Sequence, residues 1–199
     1  MSTYAELYIF EGIDNVGKTT IIHSLKKRIH ETTEYNCVDV AFPGNEARTL
    51  GNLVYQIHHH GEQYFDAPIN EASLQLLHIA SHVDLIQRKL KPLMNEKCII
   101  LLDRFWWSTY VYGLAGGLDD NTIQTIIKPE LLFWKEINIK KIFLLERNER
   151  KRDYDADKEN VIINQYRRLA KKELICTIIN NNGSLDEVIN AIYNSIIGE

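Results

Sequence analysis

The chain has 199 residues, 45% hydrophobic and 25% charged, with four prolines and a formal net charge of −4. This is the composition of a single globular domain with a sizeable core, and it excludes long disordered linkers. The negative balance also excludes a basic field that would draw in nucleic acid or an anionic membrane, so neither is an expected partner and any anionic ligand must be held locally.

Cys37, Cys98 and Cys176 each lie in an apolar run, with no CxxC spacing, and read as small buried hydrophobes in a reducing compartment. The opening "MSTYAEL" lacks the basic and apolar segments of a secretory signal, and no apolar run approaches the length of a membrane span. The expected location is cytoplasmic.

In chain order, five short β-branched runs stand out: Leu7–Phe10, Val38–Phe42, Cys98–Leu102, Lys141–Leu145 and Ile175–Ile179. They are continuous rather than alternating, as expected for strands buried on both faces. Helical periods separate them. Ile21, Ile22, Leu25 and Ile29 form one stripe, and Leu74, Leu77, Val83, Leu85, Ile86 and Leu90 mark a longer helix, from about Asn70, that ends near Pro92. Ser184 and Glu187 fit a capping box that opens the last helix. Strands alternating with helices specify an α/β fold: one domain over 1–199 with a five-stranded parallel sheet flanked by helices.

After the first run, "GIDNVGKT" matches G-x-x-x-x-G-K-[ST] with Gly12, Gly17, Lys18 and Thr19, between a strand and a helix. Glycines allow the turns that aim backbone N–H groups inward, and the helix N-terminus adds its positive dipole end. Gly12, Asn15, Val16, Gly17, Lys18, Thr19 and Thr20 are therefore expected to cradle the phosphates of ATP. Lys18 would neutralise the β and γ oxygens, and Thr19 would ligate Mg²⁺. At the end of the third run, Asp103 is suited to Mg²⁺ or its water, and Arg104 to bidentate grip of a second anion.

With these two motifs on one sheet, the sequence resembles the thymidylate kinase family of P-loop nucleoside monophosphate kinases. The resemblance rests on "FEGIDNVGKTT" and on Asp103, Arg104, Phe105 and Ser108, which look like the family's D-R-[YF]-x-x-S. Phe42 and Pro43 are similar to the F-P pair after its second strand, "LLHIASHV" to its base-binding helix, and Lys158 to Lys172 with Tyr166 to the helix after its lid. It implies a three-layer P-loop nucleoside-kinase fold with a short lid at about 146–157, and transfer of the γ-phosphoryl of ATP to dTMP. It also implies a homodimer.

By the same resemblance, Asp14 contacts the acceptor's sugar, Arg48 clamps its phosphate, and Phe42, Phe105 and Ser108 line its site. Since Asn15 stands where some members carry an arginine, Arg147 or Arg150 of the lid would supply the catalytic cation beside Lys18, Arg104 and Asp103. The chain departs from the family at the base. His82 aligns with an arginine, His78 with an aromatic and Gly113 with a glutamine. Both histidines, one turn apart, are expected to point into one pocket, with Gly113 leaving extra room there. Two rival functions stay open: a deoxynucleoside kinase with Glu11 as general base, and a nucleotide-binding regulatory module with weak turnover.

Overall fold

The computed structural model describes residues 4–44, 46–148 and 155–198. Five parallel strands, β1 (Glu6–Glu11), β2 (Asn36–Ala41), β3 (Cys98–Asp103), β4 (Ile139–Glu146) and β5 (Cys176–Asn180), form one sheet in the order β2-β3-β1-β4-β5. Each strand lies within one or two residues of its expected run. The helices are α1 (Lys18–Thr32), α2 (Leu50–His59), α3 (Glu71–Leu85), α4 (Lys91–Leu93), α5 (Trp106–Ala115), α6 (Asp120–Ile126), α7 (Lys128–Trp134), α8 (Ala156–Ala170) and α9 (Leu185–Ile197).

Burial on both faces holds for β1, β3 and the second half of β4, whose residues Leu7–Phe10, Cys98–Leu102 and Ile142–Leu145 form the centre of the core. It does not hold for the edge strands. Ile178 of β5 is half exposed and β2 buries only Cys37 and Val40, because each has one neighbour and less cover than the centre. The central register pairs Phe10 with Asp103 and Glu11 with Leu144. The carboxyl ends of β3, β1 and β4 therefore lie side by side, where an open α/β sheet binds its ligands.

The long helix starts as expected, with the Asn70 side chain accepting from Ala72 N at 2.9 Å. It then passes through a π turn, Ile86–Leu90, before α4. Its buried residues are Leu74, Gln75, Ile79, Ser81, His82, Ile86 and Leu90, while Leu77, Val83 and Leu85 are only half buried. Three polar residues, Gln75, Ser81 and His82, occupy core positions here.

Candidate active site

The chain leaves β1 through backbone that favours glycine: Gly12 has φ +139° and Gly17 φ +102°, with Asn15 at +60° between them. A Cβ on Gly12 would lie 2.5 Å from the Leu145 carbonyl oxygen, and one on Gly17 would lie 2.6 Å from Asn181 Nδ2. Asn181, after β5, donates to Val16 O at 2.7 Å and so fixes the loop from outside. Val16 and Lys18 are buried, while Asn15, Thr19 and Thr20 are exposed.

Lys18 Nζ donates to the carbonyls of Gly12 at 2.8 Å and Ile13 at 3.1 Å. Burial lowers its pKa from 10.5 to about 8, with Arg104 adding to the effect and Asp103, Asp14 and Glu11 opposing it. The N-terminus of α1 has no side-chain cap and no acidic residue in its first turn. Its unsatisfied N–H groups face the loop and suit an anion.

Thr19 Oγ1 donates to Asp103 Oδ2 at 3.0 Å, and the other carboxylate oxygen of Asp103 is buried without a hydrogen-bond partner. A hydroxyl and an orphaned carboxylate oxygen beside a phosphate loop fit Mg²⁺, which takes one or two protein oxygens and fills its shell with water and phosphate. Among the described residues no group of three His, Cys, Asp or Glu side chains is placed to hold a metal.

Arg104 has φ +74°, a conformation that costs about 1–3 kcal/mol for a side chain of this kind. Its N–H is tied to Phe10 O at 2.9 Å. The guanidinium donates to Ser108 Oγ at 3.0 Å, pairs through Nη2 with Asp14 Oδ1, and lies over the Tyr112 ring. Tyr112 donates to Asp14 Oδ2 at 3.0 Å and Tyr166 shares a 2.8 Å hydrogen bond with Ser108, so Asp14, Arg104, Ser108, Tyr112 and Tyr166 form one assembly. Burial raises the pKa of both phenols and keeps them protonated.

Glu11 is fully buried. It accepts from the backbone N–H groups of Phe105 at 2.8 Å and Ser108 at 3.1 Å, and from the Ser108 hydroxyl at 2.9 Å. Phe105, the N-cap of α5, makes no side-chain cap, and Glu11 supplies that cap from the neighbouring strand. Burial raises the Glu11 pKa, opposed by Arg104, Lys18 and these donors. Both of its oxygens are occupied, which disfavours the general-base role.

The base-reading expectations change. His82 is buried, with its ring stacked on Phe42 at 4.1 Å and Nδ1 3.1 Å from Glu130 Oε1, which also accepts from Trp134 Nε1 at 3.0 Å. Phe105 packs edge-on against Trp134. Phe42, His82 and Phe105 are thus core residues of one aromatic cluster, and His82 faces a carboxylate rather than an open pocket. His78 is turned to His58, at 2.9 Å. Gly113 leaves no spare room, because a Cβ there would lie 2.7 Å from Ile123 Cδ1. Arg48, with φ +67°, is exposed in the connection before α2 and makes no hydrogen bond or ion pair with the described residues.

Arg147 helps line a cavity of about 330 Å³ bounded by Gly12, Ile13, the end of β4 and α8. Arg150 and half of the expected lid, residues 149–154, lie outside the described residues. The sequence reading missed Asn181, Tyr112, Glu130 and the His58–His78 contact. None has a local motif; only a position after a strand end hints at Asn181.

The family model described as thymidylate kinase matches residues 10–192. The thymidylate kinase of African swine fever virus (isolate Warthog/Namibia/Wart80/1980) is 30% identical over 179 residues, covering 86% of this chain and 69% of its own. That of Blochmanniella pennsylvanica (strain BPEN) is 26% identical over 195 residues, covering 92% and 91%. The thymidylate kinase structure from Ehrlichia chaffeensis superposes with a TM-score of 0.76 at 21% identity over 96% of this chain and 98% of that one. The Candida albicans structure superposes at 0.75 and 18% identity over 98% and 92%. With the family model matching nearly the whole chain and a relative 30% identical over most of both lengths, the chain belongs to the thymidylate kinase family.

Proposed function

We propose that the chain transfers the γ-phosphoryl group of ATP to the 5′-phosphate of dTMP, giving dTDP and ADP. The observation that carries this reading is the pairing of two anion sites at adjacent strand ends: the uncapped start of α1 with Lys18, and the Arg104–Asp14 pair one strand away. The first suits the donor triphosphate and the second the acceptor phosphate. The acceptor oxygen is already anionic, so no base is needed, and catalysis reduces to positioning and charge stabilisation.

In this reading Gly12, Asn15, Val16, Gly17, Lys18, Thr19 and Thr20 hold the triphosphate. Thr19 and Asp103 hold Mg²⁺, which when bound neutralises charge between the β- and γ-phosphoryl groups. Arg104 and Arg48 hold the acceptor phosphate, and Asp14 orients Arg104 beside the sugar. Ser108 supports Arg104, Phe42 and Phe105 form the packed wall behind the acceptor, and His78 faces the base. Arg147 or Arg150 closes on the transferring group. The family also suggests a cytoplasmic homodimer, which sedimentation velocity and fractionation would test. No helix among the described residues is long and apolar enough to cross a membrane.

A coupled ADP-release assay across nucleoside monophosphates tests the activity, with thymidine as the control acceptor. ADP release and dTDP formation dependent on dTMP are expected. Comparable turnover of thymidine, or none of any monophosphate, would overturn the reading.

A further inference from the structure

Ser108 Oγ, in the first turn of α5, stands between three groups: Arg104 Nη1 at 3.0 Å, Glu11 Oε2 at 2.9 Å and the Tyr166 hydroxyl at 2.8 Å. A serine hydroxyl has one proton and two lone pairs. Glu11 takes the proton, because its other oxygen already accepts from the N–H groups of Phe105 and Ser108, and the cations Arg104 and Lys18 favour its charged form. Arg104 can only donate, and it fills one lone pair. The second lone pair therefore takes the Tyr166 hydroxyl as a donor, and the hydrogen bonds run from Tyr166 through Ser108 to Glu11. Tyr166 is buried, and burial keeps its phenol protonated, as a donor must be.

The Arg104 guanidinium is gripped at both terminal nitrogens, Nη1 by Ser108 and Nη2 by Asp14, while 22% of the side chain stays exposed. Two of its N–H groups are used in this way among the described residues, and the rest are left for a ligand. Ser108 and Asp14 thus fix the plane of the fork, on which bidentate grip of a phosphate depends. Each gripping group is itself held by a phenol: Asp14 by Tyr112 at 3.0 Å, and Ser108 by Tyr166. Tyr112 shares α5 with Ser108, whereas Tyr166 comes from α8.

We infer that Tyr166 is a positioning residue for the acceptor: by donating to Ser108 it holds the Arg104 guanidinium in the plane that receives the acceptor phosphate. This rests on the proposed reaction, in which Arg104 holds that phosphate. Without the phenol oxygen, one lone pair of a buried hydroxyl is left empty and Ser108 has room to turn, which loosens its hold on Nη1.

Tyr166→Phe keeps the ring and removes only that oxygen. By calorimetry dTMP should bind about three- to tenfold more weakly, the scale of one hydrogen bond, with ATP affinity and kcat at saturating dTMP within about twofold of the wild type. Ser108→Ala cuts the path, so on that background Tyr166→Phe should change dTMP affinity by less than about twofold. Tyr166→3-fluorotyrosine barely alters packing and makes the phenol a stronger donor, so dTMP should bind tighter, by up to about threefold. Equal losses on both backgrounds, unchanged dTMP affinity in Tyr166→Phe, an equal loss of ATP affinity, or weaker dTMP binding with the fluorinated phenol would each overturn the inference. Wild-type protein that binds dTMP without phosphorylating it would instead sink the proposed function, and the same binding comparison would still decide the role of Tyr166.

Discussion

Lys18 is 6% exposed at the start of α1, and its pKa falls from 10.5 to about 8. That difference corresponds to about 3 kcal/mol spent keeping a buried ammonium charged. In the linkage sense, the unfolded chain binds more protons than the folded one between about pH 8 and 10.5. Stability therefore rises with pH across that window, and the full cost applies below it. Lys18→Met removes the charge and loses two hydrogen bonds to loop carbonyls. At pH 7 its denaturant-measured stability should match or exceed that of the wild type by about 1–3 kcal/mol, and the difference should shrink toward pH 10. Turnover should meanwhile fall by about a hundredfold or more, since the ammonium neutralises charge in the transferring group. A variant that loses stability and keeps its rate would show that Lys18 is a structural residue.

Among the helices, the N-termini separate ligand site from scaffold. Thr49, Asn70, Asp155 and Ser184 cap α2, α3, α8 and α9 with their own side chains. The α5 start takes Glu11 from the neighbouring strand, and α1 alone among these long helices has no side chain on its first turn. Much of this was legible: the capping box at Ser184 and Glu187, the glycines of the loop and the central strands follow from local pattern. The stripe of α3 was not, because Gln75 and His82 take core positions by bonding to Glu71 and Glu130, and periodicity counts polar residues as solvent-facing. Gly113 was misread for a related reason. It allows α5 and α6 to approach, not a ligand to enter. Gly113→Ala should cost about 1–3 kcal/mol through the clash with Ile123, and Ile123→Val should recover part of that loss. Thermal melts of the two single variants and the double variant measure the coupling, and strictly additive losses would mean that the contact is not what Gly113 serves.

At the scale of the molecule, the order β2-β3-β1-β4-β5 puts the first strand at the centre and lets chain-distant segments meet at its carboxyl end. Asn181 reaches Val16 across 165 positions, and Arg104 reaches Asp14 across 90. Motifs could show that such groups belong to one sheet, as with Lys18 and Asp103, but not which pairs bond, since that depends on packing. The donor loop is fixed by Asn181 and β4, the acceptor assembly by α5 and α8 through Ser108, Tyr112 and Tyr166, and the two are joined at Asp14, a loop residue that pairs with Arg104 and Tyr112. Arg104→Lys keeps the charge but loses the planar fork that reaches Ser108 and Asp14 together, and a flexible ammonium cannot hold both. The KM for dTMP should rise by about ten- to a hundredfold, the scale of one or two charge-assisted hydrogen bonds. ATP affinity, measured by calorimetry on the same variant, should stay within about twofold, since Arg104 bonds the loop through the Asp14 side chain and not through the backbone that would hold the phosphates. Comparable losses for both nucleotides would mean that Arg104 holds the sheet end together as a whole and that the two halves are a single cooperative unit.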